Sequence, residues 1–379
     1  MKKVCHITSV HRWDDTRIFY KECCTLADAG WEVVLVASNG VPGTYHGVKL
    51  VVVKNNRASR IYRATVVAWR ILYATLKQKP RVVHFHDPEL IWVGLLLRIW
   101  GKKVVYDVHE NLRAQIEDKP WLRFPKLAKG VYGLIERVSA HSFSIVIAAN
   151  SFTEIFKRYN VLPVQVLNYP QVEALRKLNV VSSTRATNDG ILYVGLVSEG
   201  RCFIEMVRVL YFLKQQNCCY QFHVVGPMEE GLLERLEDMH EYIEVKDQIH
   251  LYGRLPVFDA YRMAGKCSIA VSLLKPLPNY TRSVSTKVFE YMSLGIPLLT
   301  SRFEVYQFIE DEQLGVVCNP DDVVEIAAKL RLLMAGGEEV EVMIKKASRA
   351  VVEKFSWESQ SANLLKLYEE LWKGVRKEF

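Results

Sequence analysis

The stretch CSIAVSLLKPLPNYTRSVSTKVFEYMSLGIPLLTS, residues 267–301, decides the fold. CSIAVSLL is a short run too apolar for a solvent-facing strand, so it reads as a buried one. A loop with Pro276 and Pro278 follows, then STKVFEYMSL with helical spacing, Ser285 as its N-cap and Gly295 as its stop. IPLLTS is a second buried strand. Strand, helix, strand within 35 residues is a βαβ unit and implies a parallel sheet.

The same alternation runs outward in both directions. GILYVG (190–195), YQFHVVG, IHLYG and GVVC complete one series of strands around the opening unit. An earlier series comprises KKVCHITSV, WEVVLVAS, RVVHFHD, KKVVYDVH and SIVIAAN, with helical patterns at 16–29 and 60–77. The fold class is therefore α/β, with two Rossmann-like, doubly wound parallel-sheet domains expected to face across a cleft. Between the series, NYPQVEALRKLNVVSSTRATNDG (168–190) loses its periodicity at Pro170 and in a Ser/Thr/Asn/Asp/Gly cluster. This places an N-terminal domain at 1–168, a linker at 169–189, a C-terminal domain at 190–355 and a final helix at 356–379. Three helical segments with Asp or Ser near their starts close the chain.

Composition agrees with this plan. The 379 residues exceed one ordinary core, half of them are hydrophobic, and no low-complexity tract is present. No apolar run reaches the roughly 18–20 residues of a membrane span; the nearest, LIWVGLLLRIW, contains Arg98. The opening MKKVCHITSV reads as a first strand and not as a signal peptide, because His6 interrupts it. Eight scattered cysteines without a CxxC pair read as reduced and mostly buried. A net charge of +8 favours anionic partners, a phosphate-bearing ligand or an acidic membrane; nucleic acid is not among the expected partners. The expected location is cytoplasmic, peripheral to the inner face of the plasma membrane.

Parallel sheets bind ligands beyond the carboxyl ends of their strands, so chemistry is sought in those loops. The first-turn amides near Ser285, Thr286 and Lys287, with the Lys287 ammonium, form an anion site suited to a diphosphate. Glu290 lies about a turn and a half further along, where its carboxylate can accept two hydrogen bonds from a vicinal diol such as a ribose. The competing reading is a helix acid paired with a neighbouring lysine.

With these residues in view, the segment resembles the C-terminal motif of GT-B-fold glycosyltransferases of family 4, the group 1 type of bacterial glycan assembly. GLVSEGRCFIEMVRVL (195–210), IHLYGRL (249–255) and GVVCNPDDVVEIAAKL (315–330) match that family in order. SVHRWDDTRIFYKECCTLADAGWEVVLV, HFHDPELIWVGLLLR and GKKVVYDVHEN resemble one branch of it in the N-terminal half. The resemblance implies that Glu290 holds the donor ribose as the second acid of an E-x7-E pair, whose first position is here Arg282. It adds Gly195, Tyr252, Gly253, Arg254, Ser283 and Val284 to the donor-binding set. The family's Arg and Lys for the leaving diphosphate fall at Leu196 and Cys202, so Arg201, Lys287 and Arg282 are the candidate cations. It also places His109 beside the transferred sugar, giving His109, Arg201 and Lys287 as the catalytic set.

The implied reaction moves a hexosyl group from a UDP- or GDP-linked sugar to a glycan or lipid-linked acceptor, with retention of configuration and without a metal or other cofactor. An epimerase of the same fold and a non-catalytic nucleotide-sugar-binding or scaffold protein are the alternatives. On the acceptor side, HRWDDTRI (11–18) contributes Asp14, Asp15 and Arg17, one Asp being a helix cap, and Asp87, Glu89 and Glu110 complete the candidates. HFHDPE (84–89), with His109, also raises a zinc hypothesis, because His84 and His86 share a strand face; against it, Asp87-Pro88 reads as a strand-ending turn. Two basic amphipathic stretches, 55–79 and 119–138, have the composition of interfacial helices, and 119–138 is the expected contact with an anionic membrane.

Overall fold

In the computed structural model, which describes residues 2–57, 59–109, 125–178 and 189–374 (125–129 as backbone only), the chain divides into two compact units. One comprises Met1–Asn168 with Trp357–Phe379; the other is Tyr169–Ser356.

The first unit holds β1 (Lys3–Ile7), β2 (Glu32–Ala37), β3 (Gly43–Tyr45), β4 (Val48–Val52), β5 (Val82–Phe85), β6 (Lys103–Val108), β7 (Ser144–Ile147) and β8 (Val164–Gln165). Their order is β3-β4-β2-β1-β5-β6-β7-β8, parallel except for the β3–β4 hairpin. That hairpin turns at His46 and Gly47, both with positive φ (47° and 76°), the backbone that a tight primed turn demands. β3, β4 and β8 were not expected from sequence: β3 and β8 are edge strands of three and two residues, too short for a period to register. Val4, Val33 and Val82 point to one face of the sheet and Cys5, Val34 and Val83 to the other, so both faces are covered.

The expected 16–29 helix spans 16–28 and starts with a wide turn, in which the Tyr20 amide reaches the Asp15 carbonyl. Trp357–Lys373 belongs to this unit. Trp357, Leu364, Leu367 and Tyr368 are buried on Trp31, Val4 and their neighbours, each contributing about 1.5–3 kcal/mol of burial. Trp357 Nε1 donates to Thr25 Oγ1 at 2.9 Å, and Gln360 Oε1 accepts the Leu167 amide at 3.0 Å.

The second unit holds β9 (Gly190–Val194), β10 (Gln221–Val225), β11 (Ile249–Leu251), β12 (Ile269–Ser272), β13 (Leu298–Ser301) and β14 (Val316–Cys318). All six were expected. Their parallel order, β11-β10-β9-β12-β13-β14, makes the chain leave β9 in one direction along the sheet and return to pair β12 on the other side. The gap between the carboxyl ends of β9 and β12 is the topological switch point, where such sheets bind ligands. Ile191 and Tyr193 enter the core on one face, Leu192 the core on the other.

The linker is expected at 169–189. Residues 169–178 are part of the second unit, because Val172 and Leu175 of the helix Val172–Arg176 are buried in the same cluster as Phe289 and Tyr291. Residues 179–188 lie outside the described residues.

Candidate active site

At the switch point of the second unit, β9 is followed by Gly195 with φ 145°. A Cβ there would lie 2.4 Å from Lys287 Cε, 3.0 Å from Lys287 Nζ and 3.5 Å from Arg201 Nη1. Two cations from different helices thus converge on one bare stretch of backbone. Beside it, Gly226 packs so closely that its Cβ would fall 1.8 Å from the Gly195 carbonyl oxygen, and its amide donates to Gly253 O at 2.8 Å. Glycines at the ends of β9, β10 and β11 therefore form a continuous floor of backbone.

Lys287 is buried, with Nζ 5.3 Å from the centre of the Tyr193 ring. Burial, aided by repulsion from Arg201, pushes its pKa down to about 7. Arg201 Nε is buried without a hydrogen-bond partner. Charges held in this state, against glycine backbone and helix amides, fit an anionic ligand. Of the family's two cation positions, Leu196 is exposed and Cys202 is buried in the core, so Arg201 is the residue of that loop that brings charge to the site.

The helix expected after the opening loop is Thr286–Ser293. Ser285 occupies its N-cap position, yet the serine side chain makes no capping bond and the Ser285 amide donates instead to Tyr306 Oη at 3.0 Å. The Ser285 amide is therefore not available to an anion; the amides of Thr286 and Lys287 are the ones with no acceptor inside the helix. Glu290 is half-buried, and its Oε2 accepts from the buried Tyr261 hydroxyl, which fixes the carboxylate in place. Among the described residues Glu290 forms no close ion pair with a lysine, although its charge acts on Lys287. Ser283 and Val284 are half-buried in the loop, and Arg282 is exposed. Tyr252, Gly253 and Arg254 follow β11 at the outer end of the sheet, where Tyr252 Oη meets His223 Nδ1 at 2.9 Å.

In the first unit the centre is Asp107, a residue not singled out in the sequence although VYDVH places it two positions before His109 on one strand face. Arg17 grips Asp107 with two bonds, Nε to Oδ2 at 2.8 Å and Nη2 to Oδ1 at 2.7 Å. Burial raises a carboxyl's pKa, but Arg17 outweighs it and holds Asp107 well below the usual range. His86 Nδ1 is 3.1 Å and His109 Nδ1 3.5 Å from Asp107 Oδ2, and His109 Nε2 meets His11 Nε2 at 2.9 Å. Burial disfavours the His109 imidazolium, yet Asp107 more than compensates and raises its pKa.

Several acceptor-side expectations are corrected here. Arg17 is 4% exposed and spent on Asp107, Glu22 and the Val166 carbonyl, so it is a core ion-pair residue and not an acceptor contact. Asp15 caps its helix by accepting the amides of Arg17 and Ile18, as expected for one of the two aspartates. Asp14 pairs with Arg12. Asp87 is buried and holds the loop after β1, accepting Thr8 Oγ1 at 2.8 Å and the Ser9 amide at 2.6 Å. Glu89 accepts from Ser9 Oγ and Arg63. Asp87 and Glu89 thus turn away from His84 and His86, so the HFHDPE set is not one ligand sphere. Glu110 lies outside the described residues, as does 119–124 of the amphipathic stretch. The remainder enters the helix Pro125–Ser142, which exposes Val131, Leu134, Ile135, Arg137 and Val138. No helix among the described residues is long and apolar enough to cross a membrane.

Comparison with known proteins gives two family matches: residues 188–336 match the model described as glycosyl transferases group 1, and residues 17–155 that described as glycosyl transferase 4-like domain. The sulfoquinovosyl transferase SQD2 of Arabidopsis thaliana is 20% identical over 362 residues, 89% of this chain and 67% of that protein. Among solved structures, sucrose-phosphate synthase from Thermosynechococcus elongatus superposes with a TM-score of 0.73 at 15% identity, covering 99% of this chain and 100% of that one. Anabaena HepE, solved in complex with UDP-glucose, gives 0.68 at 12% identity over 97% of this chain and 99% of that one.

Proposed function

Since the chain belongs to the group 1 glycosyl transferases and has their GT-B fold, we propose that it moves a hexosyl group from a nucleotide diphosphate sugar to a glycan or lipid-linked acceptor. The observation that carries this reading is the convergence of Lys287 and Arg201 on Gly195 at the switch point of the donor-side sheet. A glycosyl donor breaks its C1–O bond as negative charge collects on the departing diphosphate. Lys287, Arg201 and the amides of Thr286 and Lys287 meet that charge where it develops. Glu290, braced by Tyr261, takes the ribose hydroxyls. Arg282 stands where the family's first acid is expected and approaches the diphosphate or an acidic sugar. The UDP-glucose complex of HepE supports a UDP-linked donor.

The transfer we infer is a retaining one in which the leaving phosphate itself takes the acceptor's proton. In the first unit, against the effect of burial, Asp107 raises the pKa of His109, so that its imidazolium is a hydrogen-bond donor. For the acceptor, the exposed apolar residues of Pro125–Ser142, following the basic stretch from 119, suit a protein lying on the cytoplasmic side of an anionic membrane.

Incubation with UDP- and GDP-sugars and a membrane lipid extract, followed by nucleotide release and product mass, tests the reaction. A glycosylated product is expected; donor binding without turnover on any acceptor, or conversion of donor alone, overturns it. Sedimentation with anionic liposomes tests the membrane contact: binding should weaken between low and high salt, and no binding at low salt refutes it.

A further inference from the structure

The first unit contains a second histidine group, which the proposed transfer does not use. His6 on β1 and His84 on β5 are partners across adjacent parallel strands, and His86 lies two residues on, on the same face. Glu22, on the helix covering that face, points down onto all three. The four side chains are buried, at 0% exposure for His6, Glu22 and His84 and 1% for His86.

Glu22 Oε2 is 3.8 Å from His6 Nδ1, 3.7 Å from His84 Nδ1 and 3.9 Å from His86 Nε2, while His6 Nδ1 and His86 Nε2 are 3.0 Å apart. Neither carboxyl oxygen of Glu22 has a hydrogen bond, nor does His84 Nε2. Arg17 Nη2 lies 3.2 Å from Oε1, but its strong bonds go to Asp107. Arg17 is the ion-pair neighbour of Glu22 and Asp107 is within reach of its proton, but neither gives it a well-formed hydrogen bond, and His84 Nε2 has none. A buried polar group left without a bond costs about 1–3 kcal/mol.

A cation among these atoms removes the deficit. Tetrahedral bonds of about 2.0–2.1 Å put neighbouring ligand atoms about 3.3 Å apart. The four separations given run from 3.0 to 3.9 Å and all of the ligand atoms lie within 4.8 Å of one another, so side-chain shifts are needed to close the sphere. Metal-bound histidines characteristically give their other nitrogen to an outer partner. His86 Nδ1 meets Asp107 at 3.1 Å, and His6 Nε2 meets the buried Tyr368 hydroxyl at 3.1 Å. That hydroxyl also lies 2.8 Å from His84 Nδ1, the nitrogen that faces Glu22, so His84 gives up this bond when it ligates the ion.

We propose that His6, Glu22, His84 and His86 form a closed site for a divalent transition metal, zinc by its nitrogen and oxygen donors. The group has no solvent-exposed position, which assigns it to structure and not to the transfer chemistry. The ion ties β1, β5 and the 16–28 helix together and fixes the tautomer of His86, so that Asp107 is held toward His109. Through Tyr368 it also anchors the C-terminal helix.

The test is elemental analysis of the full-length protein after dialysis against zinc and then metal-free buffer, with cobalt titration of chelator-stripped protein. The expected results are about one zinc per chain, visible d–d bands of tetrahedral cobalt, and a Tm raised by roughly 5–10 °C at about 100-fold excess over Kd. Glu22→Gln and His84→Asn should lower the retained zinc below about a tenth of an ion per chain, and His109→Ala should keep it. Wild-type protein that retains less than a tenth of an ion and gives no cobalt spectrum overturns the proposal, even where a variant fails to fold. Full retention in Glu22→Gln, or loss confined to His109→Ala, overturns it as well.

Discussion

Replacing Lys287 by Met sets stability against ligand binding at the donor site. Burial beside Arg201 lowers the ammonium's pKa from 10.5 to about 7. The unfolded chain keeps that proton up to about pH 10.5, the native protein only to about 7. Between these values the unfolded state binds more protons, so stability rises with pH across that window and the full penalty applies below it. The shift is 10.5 − 7 = 3.5 units, which corresponds to at most about 5 kcal/mol. Met preserves the shape without the charge. Lys287→Met should therefore raise Tm at pH 6, by up to about 10 °C, with the gain fading toward pH 10.

Nucleotide binding should move the other way. A phosphate charge about 4 Å from Nζ at an effective dielectric of 20 is worth about 4 kcal/mol, enough to restore the pKa by about three units. Wild-type Kd for UDP should be flat below pH 7 and weaken by about 50-fold between pH 7 and 9, as the free enzyme must first regain the proton. The variant should bind weakly with no such slope. Scanning calorimetry and titration calorimetry measure both quantities. A lower Tm for Lys287→Met at pH 6, or a wild-type Kd unchanged from pH 7 to 9, refutes the reasoning.

Glu290→Ala should weaken UDP binding by about 10- to 100-fold, the worth of hydrogen bonds to a charged acceptor; equal affinities by calorimetry contradict the ribose role. Arg17→Ala leaves Asp107 and Glu22 buried without their cation, and chemical denaturation should show a loss of about 3–5 kcal/mol. Gly226→Ala forces a Cβ onto the Gly195 carbonyl oxygen at a φ of 151° and should both lower Tm and abolish UDP binding; a variant that binds normally shows that the glycine floor does not shape the site.

The sequence by itself determined the two series of parallel strands, because a buried strand between helices carries its own signature of β-branched runs and turn residues. It also determined the helix of Lys287 and Glu290, since cap position, stop glycine and periodicity are local. The short edge strands escaped it, being brief and stabilised by their neighbours in the sheet. Arg17 and Asp87 read as open candidates because each lies in a loop or first turn; only the tertiary structure shows them spent on Asp107 and on the loop after β1, and shows which of Asp14 and Asp15 caps the helix. The same holds in reverse for Glu22, His6 and Asp107. Apart from the spacing of Asp107 and His109 on one strand, little near them in sequence marks them, and their importance comes from being carried by β1, a covering helix and β6 to one dry place, where an unpaired carboxylate or imidazole is costly and its partners are chosen by packing.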